Sequence, residues 1–423
     1  MEIIKIINYV ITIIFLVCYS YQFIYIPISW FKKKKASSIP CHIDHKYAAL
    51  ICARNEASVI GDLIDSLHRQ TYNARQLHIF VLADNCTDDT ARIARKKGAV
   101  VYERFNKEYV GKGYALSALL RHLKQDYPEG FDGYFVFDAD NILSDDYIEQ
   151  MNRTFSEGHD IVTSYRNSKN YGDNWISAGY GLWFLRESRY LSQARSLLGV
   201  SCSVSGTGFM FSRQVAEEIG EWPFHTLTED IEFSVDQIVK GRKIAYCREA
   251  ELFDEQPVKF SQSWWQRMRW SKGYLQVLQI YGGKLLKGAA KGSFSCMDVS
   301  LNIMPAYILS MLSIVCNVTL TVLGAINGND MQVVLWSVLQ LIGNMYFTLF
   351  VVGGITTISE WKHIQASTLH KILYAFTFPL FMLTYIPISA CVWFCKVEWR
   401  PIVHSRSGVK IYRRMKTAVN QEN

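Results

Sequence analysis

The chain has 423 residues, a formal net charge of +7 and 49% hydrophobic residues. That charge is modest, and no basic stripe interleaves with aromatic residues, which argues against a nucleic-acid binder and fits a protein pressed against an anionic inner leaflet. Ten cysteines are scattered without a CxxC pair or a Cys/His zinc spacing, so they read as reduced, mostly buried thiols rather than a disulfide or zinc framework.

Ile6–Phe31 is a long, nearly uncharged run closed by Lys32, Lys33, Lys34 and Lys35. A spanning helix needs roughly 20 apolar residues, and this run lacks the small-residue cleavage site of a signal peptide. It is predicted to be an uncleaved anchor whose lysine-rich end lies in the cytoplasm. From Tyr47 the pattern becomes that of a globular α/β domain. YAALICA (47–53), LHIFVLAD (77–84), AVVYERF (99–105), GYFVFDAD (133–140) and DIVTSY (160–165) are predicted strands. Helical stretches alternate with them, one ending at Gly98 and one that Ser144 is expected to cap. Such alternation predicts a mostly parallel sheet with helices on both faces. Ligands then bind beyond the carboxyl ends of the strands, which is where the polar motifs fall.

Three more apolar segments follow: Met297–Ile326, Met331–Ile358 and Ile372–Cys395. Four crossings would put the C-terminus outside, whereas Lys396, Arg400, Arg406, Lys410, Arg413, Arg414 and Lys416 argue for inside. One segment is therefore expected to be re-entrant or interfacial. The candidates are the one carrying Pro379 and Pro387 and the one carrying Gly343, Gly353 and Gly354.

The motifs carry the chemistry. Asp138 and Asp140 end an apolar strand one residue apart, so their carboxylates point the same way and suit a hard divalent cation beside phosphate oxygens; as plain turn residues they would also fit. Asp84 ends another strand, where on its own it reads as a turn residue or a cap for the helix carrying Asp88 and Asp89. Lys112 lies between two glycines before a helix and is placed to approach a diphosphate. Thr226-Leu227-Thr228-Glu229 matches a capping box, which gives Glu229 a structural role. Asp230 beside it has no such duty and, kept ionised by a helix N-terminus, suits a general base. In QRMRW (266–270), Gln266, Arg269 and Trp270 emerge on one helical face: an amide, a fixed cation and an aromatic plate. That set suits gripping a phosphate and stacking a sugar, and WWQRMRW also reads as a membrane-surface helix. No GxxxxGK[ST] or strand-linked GxGxxG is present, which excludes nucleoside triphosphatase and dinucleotide readings.

In order, ARNEA (53–57), ADNCTDD (83–89), GKGYAL (111–116), DAD (138–140), SGTGFMF (205–211), TED (228–230) and QRMRW resemble the successive motifs of family 2 inverting glycosyltransferases. The branch most resembled is the membrane-embedded one containing cellulose, hyaluronan and poly-N-acetylglucosamine synthases. The resemblance covers roughly residues 46–285 and implies a GT-A (Rossmann-like) fold. It further implies that Asn55, Glu56 and Asp84 line a uridine pocket, and that Asp138, Lys112 and Arg269 face the donor diphosphate. Asp140, with Asp138, would ligate Mg²⁺ or Mn²⁺. Asp230 would deprotonate the acceptor hydroxyl, and Gln266, Trp270 and Glu229 would contact the acceptor. The implied reaction moves a sugar from a UDP-sugar donor to a growing polysaccharide with inversion. Transfer of one sugar to a lipid, as in ceramide glucosyltransferase-like proteins, stays open beside it. A departure is the absence of an FxVT gating motif, SFSCMD (293–298) occupying that region.

The expected organisation is an anchor over 1–35, a cytoplasmic catalytic domain over 46–260, an interfacial region over 261–292, a membrane region over 297–395 and a basic tail over 396–423. The expected location is the cell (plasma) membrane, with the chain crossing the bilayer several times. Expected partners are the UDP-sugar, a polysaccharide or lipid-linked acceptor and the bilayer, with no nucleic acid.

Overall fold

The computed structural model describes residues 2–32, 43–326, 331–398 and 404. Lys33, Lys34 and Lys35 and the tail basic residues from Arg400 to Lys416 lie outside the described residues. The chain divides into two compact units. One comprises 34–170, 195–257 and 399–423; the other comprises 1–33, 171–194 and 258–398.

The first unit is built on an eight-stranded sheet. Its strands are β1 (Tyr47–Ala53), β2 (Leu77–Asp84), β3 (Val100–Arg104), β4 (Gly133–Asp138), β5 (Ile142–Leu143), β6 (Ile161–Ser168), β7 (Phe209–Ser212) and β8 (Ile244–Asp254). Their order is β3-β2-β1-β4-β7-β6-β8-β5. β1, β2, β3 and β4 run parallel, with Tyr47 opposite both Leu77 and Gly133. β7 enters antiparallel between β4 and β6, and β8 then pairs parallel with β6. Central strands covered on both faces read as continuous apolar runs, and Leu50, Ile51, Phe135, Val136 and Phe137 are fully buried. The expected mostly parallel α/β sheet is present, and the first two strands coincide with the expected runs residue for residue.

Local capping departs from the sequence reading. The helix after β4 and β5, Tyr147–Ser156, has Asp146 at its N-cap, and Ser144 instead offers its carbonyl to the Tyr147 amide. In the helix Glu229–Val239 the N-cap is Thr228; among the described residues it makes no side-chain cap bond, and the buried Thr226 hydroxyl has no hydrogen-bond partner. The reach-back comes from Glu232, whose Oε2 accepts from the amides of His225 and Thr226 at 3.1 and 2.9 Å. Among the described residues the Thr226 hydroxyl thus does not act as the cap of a box at 226–229.

The second unit is helical. Tyr9–Phe31, Val338–Ser359 and Thr368–Phe394 are long and apolar enough to cross a membrane. The expected segment 297–326 falls in a helix, Phe294–Ile326, of which Phe294–Leu309 counts as a shorter apolar stretch. The proline-bearing segment is two helices, Thr368–Leu383 and Tyr385–Phe394, broken at Thr384. Between the two units' sequence blocks, Trp175–Arg186 belongs here; Asn174 caps it in a reciprocal capping box with Ser177. A π-helical stretch, Glu187–Ser192, continues it. QRMRW lies within Phe260–Ala290, a helix of 31 residues.

Candidate active site

The carboxyl ends of β1, β2 and β4 bring the upstream motifs together, as a doubly wound sheet requires. Asn55 and Asn85 follow β1 and β2 and are, among the described residues, the two non-glycine positions with positive φ, at 57° and 53°. Each side chain ties a neighbouring loop: Asn55 Oδ1 accepts from the Thr87 amide at 2.8 Å, and Asn85 Oδ1 from the Asn106 amide at 2.8 Å. Asn can take this left-handed turn at small cost where a branched residue would not. Asp84 is buried and held by Arg104, with Nη1 to Oδ1 at 2.6 Å.

Asp138 and Asp140 receive different partners. The Asp138 amide donates to Asn141 Oδ1 and Thr207 Oγ1, which fixes the turn. Its carboxylate pairs with the Lys112 ammonium, which also donates to the Gly206 carbonyl at 2.7 Å. Burial alone would push the Lys112 ammonium down, but Asp138 and Glu229 outweigh it and hold it above the usual lysine range. Asp140 is 5% exposed, and its Oδ2 accepts the Glu255 amide at 2.6 Å. Burial pushes its carboxyl up, yet His404, Lys169, that amide and Arg166 together leave it below the usual carboxylate range, so it is an anion.

The turn Ser205–Gly208 connects these groups to Asp230. A β-carbon built on Gly206, at φ +79°, would lie 3.8 Å from Asp230 Oδ2. Gly206 thus has its carbonyl on Lys112, and the side on which a β-carbon would stand faces Asp230 Oδ2. Asp230 sits in the first turn of its helix, and Ser234 Oγ donates back to its carbonyl at 2.8 Å. Lys112, Asp138, Glu229 and Asp230 are therefore gathered at one end of the sheet.

Residues that no motif marked complete the arrangement. Arg166 chelates the buried Asp254 and donates to the Ser205 carbonyl at 2.6 Å, pinning the same turn from β6. Burial, only partly offset by Arg166, leaves the Asp254 carboxyl above the usual range. His404 Nδ1 meets both Glu56 oxygens, at 3.0 and 3.2 Å, and Ser58 Oγ donates to the His404 carbonyl at 3.0 Å. Burial would push the His404 imidazole down, but the charges of Asp140, Glu56 and Glu255 raise it to about 9. Burial pushes the Glu56 carboxyl up, and His404 offsets part of that rise. Arg166 and Asp254 stand 88 positions apart and His404 stands 348 from Glu56, so no local spacing could have announced either pair.

In the helical unit, the expected QRMRW face exists. Gln266, Arg269 and Trp270 are half-buried, whereas Arg267 and Met268 are buried. Gln266 Oε1 is sheltered with no hydrogen-bond partner among the described residues. Trp270 meets Tyr180 and Phe184 edge-on, with ring centroids 5.6 and 6.2 Å away.

Comparison with known proteins gives this geometry a family. The model described as "Glycosyltransferase like family 2" matches residues 45–273. The beta-monoglucosyldiacylglycerol synthase of Synechocystis sp. is 24% identical over 233 residues, which are 54% of this chain and 47% of that protein. The poly-beta-1,6-N-acetyl-D-glucosamine synthase of Staphylococcus epidermidis is 25% identical over 243 residues, 54% of each. The chain thus spans about half the length of the curated relatives it matches. The mannosyltransferase PcManGT from Pyrobaculum calidifontis, solved in complex with GDP-Man and Mn²⁺, shares the fold with a TM-score of 0.60 at 14% identity, covering 92% of this chain and 98% of that one. With its mixed, mostly parallel sheet and a family model matching more than half its length, the chain belongs to the family 2 glycosyltransferases and has a GT-A-like fold.

Proposed function

We propose that this glycosyltransferase takes a UDP-sugar donor and adds the sugar, with inversion, to a growing polysaccharide at a membrane. The observation that carries this reading is the gathering of Lys112, Asp138 and Asp230 around the Gly206 turn. It joins a phosphate-compatible cation, a strand-end carboxylate and an ionisable base. Asp230 accepts the proton of the acceptor hydroxyl as that oxygen attacks the anomeric carbon from the face opposite the diphosphate. The bond to the diphosphate breaks, UDP departs, and an α-linked donor becomes a β-linked product. A base of this kind is worth about 10²–10⁴-fold in rate.

Asn55, Glu56 and Asp84 are assigned to the nucleoside side of the pocket, with Glu229 beside the acceptor. Lys112 and Arg269 are assigned to the diphosphate, where fixed cations stabilise the charge that grows on the leaving group. Gln266 and Trp270 are assigned to the acceptor sugar, as an amide and a stacking surface.

The donor set of Asp138 and Asp140 fits a hard divalent cation: both are oxygen ligands at one strand end, and Asp140 is kept ionised. Mg²⁺ is commonly held by one or two carboxylates together with substrate phosphates, and Asp138 and Asp140 would be those carboxylates for Mg²⁺ or Mn²⁺. Such an ion would supply charge neutralisation at the diphosphate.

A second reading, transfer of a single sugar to a lipid, is supported by the likeness to glucosyldiacylglycerol synthases. The three apolar helices support a membrane location under either reading, and we assign the catalytic domain, 46–260, to the cytoplasmic side. The experiment is product sizing. Purified protein is incubated with labelled UDP-sugars and membrane lipids; a ladder or high polymer is expected, and a single lipid-soluble product would replace the first reading with the second.

A further inference from the structure

Arg267 is the second residue of QRMRW and lies about 100° around the helix from Gln266, and it is buried where Gln266, Arg269 and Trp270 are half-buried. It is fully buried. Nη1 donates to the Phe381 carbonyl at 3.1 Å and to Thr384 Oγ1 at 2.5 Å, and Nε donates to the Ser263 carbonyl at 3.4 Å. The guanidinium carbon stands over the rings of Phe381 and Tyr385, 4.4 and 5.0 Å from their centroids. Among the described residues no carboxylate pairs with it, and Nη2 has no hydrogen-bond partner. Burying a cation without a counter-ion costs several kcal/mol, and an apolar side chain of similar volume is often as stable or more stable in such a place. Packing therefore does not account for an arginine here.

Its partners do. Phe381 carries one of the last four carbonyls of Thr368–Leu383, groups with no acceptor role inside that helix. Thr384 is the single residue between that helix and Tyr385–Phe394, and its hydroxyl also donates to the Phe381 carbonyl, at 2.5 Å. Arg267 thus caps a helix break at its negative dipole end. A contact chain leads from that break back to the motif. The Phe381 ring meets Tyr180 at 4.9 Å, and Tyr180 meets Trp270 edge-on at 5.6 Å. The approach of Phe381 needs Gly179, where a β-carbon would lie 2.3 Å from Phe381 Cγ.

We propose that Arg267 is a positioning residue: capping the break at Thr384, it fixes the orientation in which Gln266, Arg269 and Trp270 are presented to substrate. This rests on the assignment of that face to the active site. That assignment fails if Arg269→Lys and Trp270→Ala leave turnover intact. The Arg267 role fails separately, if those two lower turnover and Arg267→Met does not.

The test compares full-length wild type, Arg267→Met and Thr384→Val in lipid nanodiscs. Arg267→Met keeps the volume and removes the charge, so its unfolding temperature is expected to match or exceed the wild type. Its kcat for UDP-sugar consumption is expected to fall at least tenfold, with the donor KM within about threefold. Thr384→Val should lower kcat in the same direction, and the double variant should be no worse than Arg267→Met alone, because both changes remove one clamp. Turnover of a well-folded Arg267→Met within twofold of wild type would overturn the proposal. Should Arg267→Met not fold, Thr384→Val and Arg267→Lys decide: an undiminished kcat in both would overturn it equally.

Discussion

Two glycines in the Ser205–Gly208 turn make a paired prediction, because the structure assigns them costs of different origin. Gly208 has φ +65°, and a β-carbon there would lie 1.8 Å from Leu252 Cδ2 and 2.7 Å from Ser164 Oγ. Leu252 is fully buried on β8 and cannot retreat. Gly208→Ala therefore combines a left-handed backbone penalty of about 1–2 kcal/mol with overpacking of about 1–3 kcal/mol. The total, about 2–5 kcal/mol, is a large share of a domain stability of about 5–15 kcal/mol. Gly206 has a similar φ of +79°, but its β-carbon would meet Asp230 Oδ2 at 3.8 Å, an ordinary contact. Gly206→Ala should cost only the backbone term, about 1–2 kcal/mol, while its methyl group shields the carboxylate that must reach the acceptor. Thermal unfolding in detergent should rank wild type above Gly206→Ala and Gly206→Ala above Gly208→Ala. UDP release measured on the folded fraction should fall for Gly206→Ala. If Gly208→Ala unfolds at or above the temperature of Gly206→Ala, the steric reasoning is wrong.

Other tests address separate parts of the site. Trp270→Ala should raise the acceptor KM about tenfold, for a loss near 1.4 kcal/mol, and leave donor KM unchanged; equal effects on both would count against stacking. Chelation by EDTA should stop transfer and Mg²⁺ or Mn²⁺ should restore it, whereas activity persisting in EDTA would reject the metal assignment of Asp138 and Asp140. The pairing of His404 with the charges of Asp140 and Glu56 makes a pH prediction. A pKa raised to about 9 from an unfolded value near 6.5 gives stability fully present below pH 6.5 and lost as pH rises through 9. The stability difference between wild type and His404→Gln should accordingly be largest near pH 6 and shrink by pH 9; a difference that grows with pH would refute the pairing of His404 with these carboxylates.

The central strands were legible because strands buried on both faces leave uninterrupted apolar runs: YAALICA and LHIFVLAD match β1 and β2 end to end. β7 was not, since FMFS is four residues long and its antiparallel pairing with β4 and β6 is set by tertiary contact rather than by pattern. Asp84 and Asp138 could be placed at strand ends, where β2 and β4 carry them, and Asp230 in the first turn of a helix. Lys112 was legible as a cation near the site, but its pairing with Asp138 was not. The capping box at 226–229 misled, because the motif is satisfied by composition alone and Glu232, one turn on, takes the amides. Arg166, Asp254 and His404 were silent because their partners are brought close only by the fold.

The most direct test of the account is UDP release by wild type and Asp230→Asn across a panel of UDP-sugars. Wild type is expected to turn over with at least one of them. Asp230→Asn should bind UDP within about threefold of wild type and lose transfer by about 10²–10⁴-fold. Turnover retained in Asp230→Asn, or no UDP-sugar consumed by wild type, would contradict it.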